Sequence, residues 1–285
     1  MILQILICLI ASSTYAILAS GFSLLYSVGR MLNLAYTVYY MLGAFLLYWL
    51  RVDVGLPILP AVILSILLVT IIGTAIQYFI QQITGHELIM LVLTFIIGAI
   101  MASVISHFIT AGVLYLIIPS VIEGTISIMN VHIPLQYFLT LSAVLFVIIL
   151  FWIIQFRTPL GTTLRAAAQD SEMAVLLGIN PHRVKLYANV IAVFLAGVAG
   201  VVVAPMYPWS STMWLHPLLV LLAIAIMGGL GSFYGCIIAS FIIGFAENIV
   251  VFLIPGAAYL KDVVPMLLAL LILLVRPQGL RGVKI

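Results

Sequence analysis

Runs of about 20 residues with few or no charged side chains follow one another along this chain, and at 1.5 Å rise per residue that is the length a helix needs to cross bilayer hydrocarbon. Such runs lie near 2–27, 34–50, 57–82, 88–108, 134–156, 184–205, 217–230, 236–254 and 262–276. Backbone polar groups in lipid must be satisfied within the protein, so these runs are expected to be helices. The composition agrees: 66% of the 285 residues are hydrophobic and 6% are charged, ten basic and seven acidic. So few charges cannot cover a soluble globule of this size, and disorder requires the opposite composition. The net charge of +3 is scattered and forms no patch for nucleic acid. The expected fold class is all-α: a polytopic transmembrane helical bundle with about eight or nine spans, forming one transmembrane domain over 1–285. The first run has no basic residues ahead of it and is too long for a signal peptide core, so it reads as a retained span.

The runs at 34–50 and 217–230 are the shortest and adjoin glycine-bearing breaks at Gly29 and at Gly228, Gly229 and Gly231. Segment 109–133 is apolar but interrupted by Pro119 and Glu123, which suits a re-entrant or surface-lying piece. Arg157, Arg165, Arg183 and Lys185 lie in or beside the one long polar loop, and Arg276, Arg281 and Lys284 form the tail. The positive-inside rule assigns loop and tail to the cytoplasm and the N-terminus to the outside. Arg30 then falls inside, and Arg51 and Lys261 outside, beside Asp53 and Asp262. Two segments, 23–45 and 219–241, share a run–break–run pattern, the pointer to internal pseudo-symmetry, here expected as an inverted repeat.

The polar loop, 157–183, carries most of the functional signal. Thr162 or Thr163 is suited to cap a helix starting near Leu164, and Gly178 suits a left-handed stop with Pro181 beyond it. Ala167, Ala174 and Leu177 sit near one face, where small side chains permit close approach by another protein. This loop resembles the cytoplasmic coupling segment of ABC importer permeases, and its pattern is most similar to the branched-chain amino acid permease family. The matching residues are Gly161, Leu164, Arg165, Ala166, Asp170, Ala174, Gly178, Ile179 and Asn180. The stretch with Asn33, Ala35 and Gly43, the run Gly228 to Ser232, Glu247, and the tail Arg276 to Leu280 are similar to the same family. One departure is Tyr36-Thr37, where the family usually has His-Gly after its N-x-A.

A nucleotide-binding P-loop needs G-x-x-x-x-G-K-[ST]. The three lysines, Lys185, Lys261 and Lys284, follow no glycine, so an ATP site of this type cannot form here. The resemblance implies that ATP and Mg belong to a partner. It further implies two ATPase subunits, a second permease (identical or homologous) and an extracytoplasmic substrate-binding protein, in the plasma or inner membrane. No catalytic role, bound cofactor or metal is expected of this chain, whose histidines are widely separated. Gly228, Gly229 and Gly231 suit either a hinge facing the path or close helix packing, with Gly231 and Gly235 forming G-x-x-x-G. Glu247 lies within a span, where a carboxylate is costly and marks function; it could pair with Lys261, meet a substrate ammonium, or bond neutrally to a neighbouring helix. Asn33 and Tyr36 are further translocation-path candidates, Asn33 also suiting a turn. Trp152, Trp209, Trp214 and Tyr207 read as interfacial belt residues, and Cys8 and Cys236 as buried thiols. The reading from another class is a carrier or channel driven by an ion gradient; an intramembrane enzyme built on Ser23 has little else to support it.

Overall fold

A computed structural model describes residues 2–30, 32–83, 86–108, 118–122, 124–128, 131–207, 210, 212–254, 256–276 and 278–280. Glu123, Trp209, Arg281 and Lys284 lie outside the described residues. Among these residues eleven α-helices account for most of the fold: α1 Ile2–Gly29, α2 Tyr36–Tyr48, α3 Ile58–Ile83, α4 Glu87–Phe108, α5 Leu135–Arg157, α6 Pro159–Gln169, α7 Ser171–Leu176, α8 Pro181–Val203, α9 Leu215–Gly228, α10 Phe233–Leu253 and α11 Val263–Val275. Six of them, α1, α3, α4, α5, α8 and α10, are long and apolar enough to cross a membrane. Each apolar run of the sequence is a helix. α2, α9 and α11 are short, and α2 runs on into the π-helical turn Trp49–Asp53. The chain between α4 and α5 contains a two-stranded antiparallel hairpin, β1 Thr125–Ile128 with β2 Val131–Pro134, which the apolar pattern there did not suggest.

Burial inverts the soluble pattern. On α3 the residues Ala61, Ser65, Val69, Gly73 and Gln77 recur every fourth position and are buried. Leu59, Ile63, Leu67 and Ile71, equally spaced, are exposed. Small and polar side chains thus face the bundle while large aliphatic ones face outward, as expected where helices associate by close packing in lipid. α1, α2, α8 and α9 form the interior and α3, α4 and α5 the periphery.

Glycines set the contacts of α2. A Cβ on Gly43 would lie 2.8 Å from Gly197 O, and one on Gly200 would lie 2.0 Å from Tyr40 O, so α2 and α8 touch backbone to backbone. Tyr36 Oη donates to Ala192 O at 3.2 Å, beside Gly21 of α1.

The breaks after α1 and after α9 lie together, because Gly231 is within van der Waals reach of Ser27 and Tyr26. Both segments of the suspected repeat are therefore hairpins with their tips at one end, running in the same sense. The inversion expected from this pair is not found in it. The same end carries α6 and α7, joined to α1 by a hydrogen bond from Arg30 Nη2 to Ala168 O at 3.2 Å.

Candidate functional site: a capped surface segment and a buried carboxylate

The polar loop folds as two helices rather than one. Thr158, not Thr162 or Thr163, caps α6: its side chain accepts from Gly161 N at 3.2 Å, and Pro159 occupies the first turn, where a missing N–H costs nothing. Thr162 and Thr163 instead donate to the carbonyls of Thr158 and Pro159. A tight approach decides the start, because a Cβ on Gly161 would sit 2.2 Å from Gln155 O. α6 is thereby folded onto the end of α5. Arg165 secures it there, donating to Gln155 O, with its guanidinium 5.2 Å from the Phe156 ring. Leu164 and Ala167 are buried against the bundle and Ala166 is half-buried.

Asp170 ends α6 and begins α7, its carboxylate accepting from Glu172 N and Met173 N, both at 3.0 Å. Gly178 closes α7 with φ of 81°. Gly178 N donates to Val175 O at 2.9 Å and Ile179 N to Ala174 O at 3.0 Å, the paired bonds of a left-handed helix stop. Asn180 then caps α8, accepting from His182 N and Arg183 N. The nine loop residues singled out in the sequence lie along this one capped segment, with Gly161, Leu164 and Ala174 buried beneath it.

Its exposed face differs from the expected one. Ala167 and Ala174 turn inward, while Met173, Val175, Leu176 and Leu177 point outward, the last two each 80% exposed. Four apolar side chains in a charged loop are a signal the sequence already carried.

Next to this segment lies the break between α9 and α10, with Gly229 at φ 92° and Gly231 at φ 83°. Packing here is done by Gly228 and Gly235, not by the Gly231–Gly235 pair: a Cβ on Gly235 would lie 1.9 Å from Gly228 O. Gly231 has only ordinary contacts and is needed for its backbone angle. The tail docks on this break. Leu280 N donates to Met227 O at 2.8 Å, and a Cβ on Gly279 would lie 2.7 Å from Gly229 N. Two stretches chosen separately in the sequence are in contact.

Asn33 has a turn role: its Oδ1 accepts from Ala35 N at 3.0 Å and its Nδ2 donates to Gln77 Oε1 at 2.6 Å. Tyr36 is buried between α1 and α8. Trp214 is buried against Phe95, their rings 6.0 Å apart.

Glu247 lies at the opposite end, six residues before the end of α10 and fully buried. Tyr15 Oη donates to its Oε1 at 2.9 Å, Lys261 Nζ lies 3.5 Å from the same oxygen, and His216 Nε2 lies 3.7 Å away. His216 also contacts Tyr15 Oη at 3.0 Å and, through Nδ1, Asp262 Oδ1 at 2.5 Å. Four elements therefore meet on one carboxylate. The Lys261 pairing was among the readings open from sequence; Tyr15, His216 and Asp262 were not identified there.

The family described as branched-chain amino acid transport system / permease component matches residues 4–274. The chain is 29% identical over 301 residues to the high-affinity branched-chain amino acid transport system permease protein LivH of Escherichia coli, covering 95% of this chain and 92% of that one. It is 31% identical to the corresponding protein BraD of Pseudomonas aeruginosa, covering 96% and 93%. A shorter match, 33% over 110 residues, is to the permease protein LivM of Escherichia coli, covering 37% of this chain and 26% of LivM. Among solved structures, PsaBC from Streptococcus pneumoniae in complex with Fab has the same fold, with a TM-score of 0.51, 16% identity and coverage of 94% and 89%. The chain belongs to the family of branched-chain amino acid transport permease components.

Proposed function

We propose that this chain is the membrane permease subunit of an ATP-driven importer, forming the path for branched-chain amino acids or related small amino acids and amides. It crosses the membrane nine times, with α6, α7 and the C-terminal tail in the cytoplasm. The cation distribution supports that orientation. Arg30, Arg157, Arg165, Arg183, Lys185 and Arg276 lie at the end carrying α6 and α7, whereas Arg51 and Lys261 lie at the other. Its partners are a second permease subunit, identical or homologous, two ATPase subunits that hold ATP and Mg, and an extracytoplasmic binding protein. The chain itself is not an enzyme.

One observation carries the coupling role: Met173, Val175, Leu176 and Leu177 stand exposed on a segment whose helix ends are all capped. A free connector has no use for such rigidity, whereas a surface that transmits force to a partner requires it. Movement of α6–α7 by the ATPase reaches α1 through Arg30 and α5 through Arg165, so it tilts spans rather than flexing a loop. The alternative, a carrier driven by an ion gradient, needs titratable groups within the spans. Among the described residues Glu247 is the one fully buried acidic side chain, a single group where such a carrier needs several.

The test is copurification. The wild-type chain retains its ATPase through detergent extraction, and Leu176→Asp with Leu177→Asp loses it while the permease stays folded. Full retention by that variant contradicts the assignment of this face.

A further inference from the structure

The geometry points to Glu247 as the residue that receives the ammonium group of the transported amino acid, with Lys261 as the cation it displaces; this rests on the importer reading above. A carboxylate has about four acceptor positions on its two oxygens. All of the contacts to Glu247 fall on Oε1, while Oε2, equally buried, has no hydrogen-bond partner among the described residues. Leaving a buried acceptor unsatisfied costs about 1–3 kcal/mol, more when it is charged. A structural ion pair under no other demand would use both oxygens.

Lys261 is held loosely. Its 3.5 Å separation is longer than the usual reach of a charge-assisted hydrogen bond, about 2.7–2.9 Å. It sits on the 3₁₀ turn Ala257–Lys261, entered through Gly256 at φ 84°, and its side chain is 34% exposed. Asp262 and His216 are also partly exposed, so the cluster borders solvent on the side of this turn. A substrate ammonium is the same group as Lys Nζ, with three N–H donors to reach both Oε1 and Oε2. As it enters, Lys261 withdraws towards Asp262 and water, and the buried charge is unchanged. Tyr15 and His216 remain on Oε1 to hold the carboxylate in place.

The experiment uses the complete transporter in nanodiscs without its binding protein and reads thermal stabilisation by three probes: leucine, isopentylamine and the α-keto acid of leucine. Leucine and the amine stabilise the wild type, the keto acid does not, and Glu247→Gln abolishes the effect. Lys261→Met removes the competing cation and lowers the half-saturating amine concentration ~10-fold, the size of one charge-assisted bond. The inference is overturned by three results: a keto acid as effective as the amine, no amine effect in wild type or Lys261→Met, or unchanged or weaker amine binding in Lys261→Met. The Lys261→Met arm decides the matter even if Glu247→Gln fails to assemble. Failure of the importer reading appears separately, as no ATP-driven leucine uptake by the wild-type assembly with its binding protein.

Discussion

Gly228 and Gly235 illustrate how single atoms limit this fold. The Cβ of Gly235→Ala would overlap Gly228 O at 1.9 Å, with backbone rather than a flexible side chain in its way. Overpacking of this kind costs about 1–3 kcal/mol, so Gly235→Ala should lower the unfolding temperature in detergent and the yield of folded protein. Gly29→Ala is the control. Nothing lies within 4 Å of its Cβ position, and alanine is favoured over glycine in a helix by about 1 kcal/mol, so that variant should be as stable as wild type or more so. Equal loss from both substitutions would contradict the packing assigned to Gly228 and Gly235. The sequence alone could not separate these glycines, because G-x-x-x-G spacing selects Gly231 and Gly235 while the contact joins Gly228 and Gly235.

The elements α6 and α7 depend on their caps. Asp170→Ala removes the acceptor for two backbone N–H groups and should cost α7 about 1 kcal/mol. Amide exchange over 171–177 should then quicken, with the spans unaffected and ATPase coupling reduced; Asp170→Asn should retain slow exchange. Exchange that is unchanged in Asp170→Ala would mean the cap is not what holds α7. The stop at Gly178 was legible because few residues other than glycine adopt φ of 81°. The start was not, since Thr158, Thr162 and Thr163 all satisfy the rule for a cap. What chooses Thr158 is the fit of Gly161 against the end of α5, a tertiary contact that local preference does not encode. The docking of Leu280 on Met227 was hidden for the same reason, as were the partners of Glu247, since Tyr15 lies 232 residues away along the chain.

For the molecule as a whole, charge is so scarce that a few cations stand for the proposed orientation, and those among the described residues separate to the two ends of the bundle. The native thiols leave a clean background for testing this, because Cys8 and Cys236 are buried. Met173→Cys should react with a membrane-impermeant thiol reagent only from the cytoplasmic side, and Tyr259→Cys only from the outside. Labelling of both from one side would overturn the orientation. The central claim, that a partner's ATP drives transport through this chain, is tested most directly by leucine uptake into sealed proteoliposomes. With the second permease, the ATPase, the binding protein and ATP present, uptake should occur, and it should fall to background when Leu176 and Leu177 are both changed to Asp. Uptake by this chain alone under an ion gradient, without ATPase or ATP, would contradict the account.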